Sequence, residues 1–163
     1  MKVLIAGGAG YVGSILIPRL LDRGYKVTSY DISYYGDNFL PKSNPNLQVV
    51  QGDIRDTAKL AKAVAGHDAF VSLACISNDA SFELDEKLST SVNLDAFEPM
   101  VLAAKKVGVK RFVFASSSSV YGVSDQPNVT EEHPLVKNLR SDIRQTELDL
   151  TRARIQEIGR AHV

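Results

Sequence analysis

A chain of 163 residues in which 19 Lys and Arg balance 19 Asp and Glu carries no formal net charge, so it lacks long-range attraction for nucleic acid or an anionic membrane surface, and a small-molecule ligand is expected instead. The length predicts one domain with a core of real size. A lone cysteine, Cys75, excludes an internal disulfide and a cysteine-built metal site. With no leader-like or membrane-spanning apolar run, it predicts a soluble protein of the reducing cytoplasm.

Residues 3–6 are a short apolar run that stops at a glycine, the pattern of a strand buried on both faces. A helical pattern follows at once, and between the two stand Gly7, Gly10 and Gly13 at a spacing of three. Gly7 suits a tight turn out of the strand, Gly10 leaves backbone open to a pyrophosphate, and Gly13 lets the helix pack closely. The helix start then offers free N–H groups and the positive end of its dipole to phosphates. The strand before and the helix after give the triplet its meaning as a dinucleotide-binding turn.

That helix is predicted over residues 11–23, with Val12, Ile15, Leu16 and Leu20 on its inner face, a kink at Pro18, and Gly24 closing it. Residues 26–31 form a second strand ending on Asp31, 18 residues after Gly13. A carboxylate there accepts both ribose hydroxyls of NAD and repels the 2′-phosphate of NADP, and the next residue is Ile32 rather than an arginine; NAD is therefore the expected cofactor. Residues 33–46, rich in Gly, Pro, Asn and Tyr, form a loop with Tyr34 and Tyr35 as surface aromatics. A third strand spans 47–51. Asp53 lies just past its end, where ligands of open α/β sheets bind, and Asp56 caps a helix over 57–65.

The fourth strand, 68–74, leads to Cys75, read as a small buried hydrophobe, and follows His67, read as a surface residue. A long amphipathic helix over 88–107 places Val92, Ala96, Met100, Val101 and Ala104 on one face, with Asn93 near that stripe and Pro99 inside the helix without a sequence rationale. The fifth strand, 111–115, runs into Ser116-Ser117-Ser118-Ser119-Val120-Tyr121-Gly122. This alternation predicts an α/β, Rossmann-like parallel sheet in the order 3-2-1-4-5, with helices on both faces. The carboxyl ends of strands 1, 2, 4 and 5 converge on one crevice. Nothing after strand 5 continues the sheet, so that edge is expected to be exposed and prone to aggregation.

Taken together, Gly7-Gly8-Ala9-Gly10-Tyr11-Val12-Gly13, Asp31, Gly52-Asp53-Ile54-Arg55, Ser72-Leu73-Ala74, Asn93 and Ser117-x-x-Val120-Tyr121-Gly122 resemble the NAD-dependent epimerase/dehydratase family, the extended short-chain dehydrogenase/reductases that act on nucleotide sugars. The resemblance covers residues 1–135 and implies an NAD-binding domain over them. It implies that Gly7, Gly10, Tyr11 and Val12 form the pyrophosphate turn, that Asp31 contacts the adenosine ribose, and that Asp53 and Ile54 contact the adenine. Leu73 and Ala74 would lie under the nicotinamide, Asn93 would be the family asparagine of the fourth helix and a further cofactor contact, and Ser117 the catalytic hydroxyl that bonds the substrate hydroxyl being oxidised. A nucleotide-sugar substrate and a homodimer are implied with it. In the 4,6-dehydratases the two positions after that hydroxyl are an Asp and a Glu; here they are Ser118 and Ser119, which cannot replace carboxyls as acid and base, so an epimerase or related sugar oxidoreductase is favoured over a dehydratase. The chemistry implied is transient hydride transfer through a keto-sugar.

The chain departs from the family in its last part. No tyrosine is followed four residues later by a lysine, and the last aromatic is Tyr121. From 136 to 163 the composition becomes that of a charged tail, and five of the nine arginines fall between 140 and 160. Ile158-Gly159-Arg160-Ala161-His162-Val163 reads as one frame of a common short-read sequencing adapter, so the tail is expected to be foreign to the domain and His133 and His162 not to be catalysts. The expectation is a coenzyme-binding part of a larger enzyme, inactive alone, its dimer contacts compromised. The alternatives are a non-catalytic NAD-binding sensor or interaction protein, and a sugar-nucleotide dehydratase or reductase of the same superfamily.

Overall fold

Five short apolar runs become strands: β1 (Lys2–Ala6), β2 (Lys26–Asp31), β3 (Leu47–Gln51), β4 (Ala69–Ser72) and β5 (Arg111–Phe114). They pair in parallel in the order β3-β2-β1-β4-β5, with Val3 opposite both Val27 and Ala69, and Ile5 opposite Ser29 and Val71. The computed structural model describes residues 1–77, 79–116 and 128–130. One unit, Met1–Ala115, carries the whole sheet; of the second, Ser116–Val163, only Ser116 and residues 128–130 are described, all exposed and without regular structure. The expectations for Ser117 to Gly122, for His133 and His162, and for a boundary at 135 lie outside the described residues.

Side chains alternate across the sheet and sort into two cores. On one face Val3, Ile5, Val27 and Ala69 pack with Ile17 and Leu21 of α1 (Tyr11–Asp22) and with Leu40 from the β2–β3 loop. On the other, Phe70 stacks on Phe112 at 5.0 Å, and Phe97 meets Phe112 and Phe114 edge-on at 6.2 and 4.8 Å. Phe97 opens α5 (Phe97–Lys106), which packs beside α2 (Thr57–Val64). Helices therefore cover both faces, and the expected strand order holds. Asp56 caps α2 as expected, its Oδ1 accepting the Lys59 N–H at 3.0 Å. Among the described residues no helix is long and apolar enough to cross a membrane.

Four local expectations are corrected. The buried stripe of α1 is Gly13, Ile17 and Leu21, flanked by half-buried Leu16 and Leu20, while Val12 and Ile15 are 55% and 48% exposed. A Cβ on Gly13 would sit 2.4 Å from the Gly8 carbonyl oxygen. That backbone contact sets the roll of the helix, and residues four and eight further on must then face the sheet. The helix runs unbroken through Pro18.

The single helix over 88–107 is in fact α4 (Glu86–Thr90), a π-helical turn (Ser91–Asp95) and α5, preceded by α3 (Asp79–Leu84), for which the sequence showed no pattern. The Ala96 N–H reaches back five residues to the Ser91 carbonyl at 3.2 Å. This wider turn accounts for Pro99, which becomes the third residue of α5, in a first turn where a missing N–H costs little. His67 is half-buried rather than a free surface residue: its Nδ1–H donates to the Val64 carbonyl at 3.1 Å, and its Nε2 accepts from the buried Thr28 hydroxyl at 2.8 Å. Cys75 is exposed, because it lies beyond the end of β4 rather than in it.

Candidate functional site

A cleft of about 540 Å³ opens at the carboxyl ends of β1, β2, β3 and β4. Its floor is the β1–α1 turn. Gly7 sits at φ +83°, donates its N–H to the Tyr30 carbonyl at 2.9 Å, and passes so close to β4 that a Cβ would lie 2.6 Å from Ala74 N and 2.8 Å from Leu73 C. Gly10 caps α1 with ordinary extended backbone, and a Cβ there would meet only the Gly7 oxygen, at 3.2 Å. Its cleft side is open. Tyr11 and Val12, exposed in the first turn of α1, carry N–H groups that no intrahelical carbonyl can accept, at the positive end of the helix dipole.

Asp31 closes β2 beside this turn. One carboxylate oxygen accepts the Ala9 N–H at 3.0 Å and the other the Ser33 N–H at 2.8 Å. Of about four acceptor positions on an ionised carboxylate, two thus hold the turn and two remain for a ligand. Ser33 adopts φ +58°, which swings the chain away from β2 so that Tyr34 and Tyr35 line the rim as an edge-to-face pair with centroids 5.0 Å apart.

Asp53 and Ile54 follow β3 on the far wall. Ile54 is buried, and its side chain lines the cleft beside Gly52, where a Cβ would lie 2.4 Å from the Tyr30 hydroxyl oxygen. Tyr30 is fully buried and donates its hydroxyl to the Asp53 carbonyl at 2.9 Å. Burial, reinforced by the nearby charges of Asp56 and Asp53, pushes its pKa up to about 12 from 10.0. A raised acid pKa means the folded state holds the proton more tightly. This contribution is thus complete below pH 10 and lost as the pH climbs toward about 12. Tyr30→Phe is expected to remove that alkaline decline from a plot of urea midpoint against pH. The Asp53 carboxylate is held by Arg55, whose backbone N–H reaches Oδ1 at 2.9 Å, whose Nε–H is shared between both oxygens at 3.0 Å, and whose Nη2 bonds Oδ2. These bonds keep the carboxyl below its usual range.

Leu73 extends β4 through its N–H to the Ala6 carbonyl at 2.8 Å, and Ala74, Cys75, Ile76 and Ser77 continue along the cleft. The chain around Cys75 crowds its sulfur enough to push the thiol pKa up. Asn93, expected among the ligand contacts, does not reach the cleft wall. Its Oδ1 accepts the Ile76 N–H at 2.9 Å and its Nδ2 donates to the Ile76 carbonyl at 3.0 Å, so it holds the wall from behind. Asn93→Asp keeps an acceptor but turns the donor into a second oxygen facing a carbonyl. It is expected to lower stability by about 1–3 kcal/mol and to speed amide exchange at Ile76.

The structure thus brings Gly7, Gly10, Asp31, Asp53, Ile54, Leu73 and Ala74 around one cavity, with Tyr11 and Val12 at its helix mouth. It adds Ala9, Tyr30, Arg55 and the 75–77 loop, which the sequence reading left without a role. A tyrosine in a buried strand was a usable sign, because its hydroxyl must find a partner. Ser117 lies outside the described residues. Among those described, no group of three or more His, Cys, Asp or Glu is placed to hold a metal ion.

Residues 3–142 match the family model described as the NAD dependent epimerase/dehydratase family. A 3 beta-hydroxysteroid dehydrogenase/Delta 5-->4-isomerase of Mycobacterium tuberculosis is 41% identical over 123 residues, 73% of this chain and 32% of that protein. A UDP-glucose 4-epimerase of Lactobacillus helveticus is 31% identical over 137 residues, 83% of this chain and 41% of that one. The crystal structure of the dTDP-glucose 4,6-dehydratase DesIV from Streptomyces venezuelae with NAD and TYD bound is similar at a TM-score of 0.82 and 31% identity, over 98% of this chain and 53% of that chain. The chain spans 32% and 41% of the length of these two curated relatives.

Proposed function

The chain belongs to the NAD-dependent epimerase/dehydratase family, and from that membership we propose that its cleft seats NAD and forms the coenzyme half of an oxidoreductase acting on a secondary hydroxyl. The observation that carries the reading is the junction of two features. An open glycine turn at a helix start lies next to a carboxylate tied to that turn through Ala9 at 3.0 Å, with acceptor positions to spare. The fit is chemical as well as spatial: N–H donors for a pyrophosphate, a carboxylate for a ribose diol, and a flat apolar wall for a ring, in a cleft of about 540 Å³. The DesIV crystal structure, which contains NAD, supports it.

In this reading the N–H groups around Gly7, Gly10, Tyr11 and Val12 bind the pyrophosphate, and Asp31 accepts the adenosine ribose hydroxyls and opposes a 2′-phosphate by like charge. Asp53 accepts from the adenine amine while Ile54 packs on the ring, and Leu73 with Ala74 borders the nicotinamide end. Bound there, NAD supplies reversible hydride transfer at the substrate carbon. Ser117 orients the substrate hydroxyl by a hydrogen bond. The substrate class we favour is a nucleotide sugar, epimerised by oxidation and re-reduction, in a cytoplasmic homodimer. A second reading, a hydroxysteroid as substrate, is favoured by the 41% identity to the mycobacterial dehydrogenase against 31% to the epimerase.

Calorimetric titration tests the core of the proposal. NAD is expected to bind at least about tenfold tighter than NADP, and absence of heat with NAD on folded protein would overturn it. The 163-residue polypeptide, which has no tyrosine followed four residues on by a lysine, is expected to bind NAD yet show no turnover of a UDP-hexose, a dTDP-hexose or a 3β-hydroxysteroid. Steady formation of the epimeric sugar, or of reduced nicotinamide with the steroid, would refute the inactivity, and the substrate turned over would choose between the two classes. A sensor would bind NAD with equal affinity after Ser117→Ala and never turn over in any longer form of the chain.

A further inference from the structure

We propose that Arg55 is a positioning residue for the adenine end of the cleft, holding the Asp53 carboxylate so that the acceptor capacity left by its shared Nε hydrogen selects a purine bearing an exocyclic amine. This rests on the coenzyme reading above. Arg55 delivers three N–H hydrogens to Asp53: from its backbone to Oδ1, from Nε to both oxygens, and from Nη2 to Oδ2. Each oxygen thus receives two contacts, but the Nε hydrogen is shared between them, so of about four acceptor positions the two it touches are only half filled and a further donor competes with that shared hydrogen alone. The flat wall of Gly52 and buried Ile54 stands beside the carboxylate. An aromatic ring on that wall gains from an N–H directed at the carboxylate and loses from a carbonyl oxygen there, which separates a 6-amino from a 6-oxo purine.

The guanidinium is itself braced. Its Nη1 donates to the Ser91 hydroxyl at 3.1 Å, and that hydroxyl donates to the Leu88 carbonyl at 2.7 Å, where the π turn begins. The fork therefore has both ends fixed, one on Asp53 and one on the helix behind it. A lysine can supply the charge at this place but not the fork.

Wild-type chain, Arg55→Met and Arg55→Lys would each be titrated with NAD and with nicotinamide hypoxanthine dinucleotide, in which the adenine amine is replaced by a carbonyl and N1 carries a hydrogen. Wild type is expected to favour NAD by about tenfold. Arg55→Met should bring the ratio below about twofold by weakening NAD alone, and Arg55→Lys should fall between, both with unchanged circular dichroism. Equal weakening of the two dinucleotides, or an unchanged ratio in both variants, overturns the inference. Wild type that binds NAD without preference overturns it too and leaves the coenzyme reading standing. Wild type that binds neither dinucleotide overturns the coenzyme reading and this inference with it.

Discussion

Gly7→Ala is expected to lower the midpoint of thermal unfolding by roughly 6–12 °C, while Gly10→Ala leaves it within about 2 °C and instead abolishes measurable NAD binding. The two glycines lie three residues apart in one turn, yet their surroundings are opposite. At Gly7 the backbone is left-handed, φ +83°, which costs an alanine roughly 1–2 kcal/mol. The new Cβ would also lie 2.6 Å from Ala74 N and 2.8 Å from Leu73 C, and backbone at the end of a central strand cannot step aside as a side chain can. Overpacking of this kind costs about 1–3 kcal/mol. About 3 kcal/mol in all corresponds to the stated shift for a chain of this size. Gly10 has φ −82°, open to any residue, and a Cβ would press only on the Gly7 oxygen at 3.2 Å. It would project into the space a pyrophosphate must enter. Thermal melts and calorimetry on the two variants check both halves. Similar melting of both would show that the turn tolerates side chains, and retained NAD affinity in Gly10→Ala would move the phosphate site elsewhere.

Asp31→Asn is expected to weaken NAD binding by about ten- to a hundredfold, leave NADP affinity unchanged or improved, and lower stability by about 1–2 kcal/mol. Both carboxylate oxygens already accept a backbone N–H, from Ala9 at 3.0 Å and Ser33 at 2.8 Å. An amide has one oxygen, so whichever way it turns, its NH₂ faces a donor, and one of the two N–H groups loses its acceptor. The turn and the ribose end loosen together. Charge removal acts on NADP in the opposite direction, since the repulsion of a 2′-phosphate disappears. Paired titrations with the two dinucleotides read the difference. If both affinities fell by the same factor, Asp31 would be a brace for the glycine turn and not a ribose contact.

Asp31 shows how a sequence position and a structural role can coincide. Its place at the end of a predicted strand, 18 residues after Gly13, already implied a ligand contact, and the structure sets it against the turn that the glycines form. Asn93 shows the reverse. Its position matched a motif, but what its amide does depended on a loop 17 residues earlier running along the cleft in front of it. Arg55 was visible as a letter in Gly52-Asp53-Ile54-Arg55 and nothing more. Its clamp on Asp53 is local, whereas its brace on Ser91 spans 36 residues.

From its amino acids alone this protein was bound to make a parallel α/β sheet ordered 3-2-1-4-5, to open its first helix on a glycine turn and to end its second strand on an acid. Those features follow from local backbone preference, apolar periodicity and the handedness of crossovers, all of which act over a few residues or one connection. Tertiary packing alone decided that α1 buries Gly13, Ile17 and Leu21, that the long helix breaks into a π turn before Pro99, and that Cys75 reaches the surface. It also decided which side chain holds Ile76 in place and which hydroxyl braces Arg55. Each of these depends on how closely segments distant in the chain approach one another, and no periodicity within a segment encodes that distance.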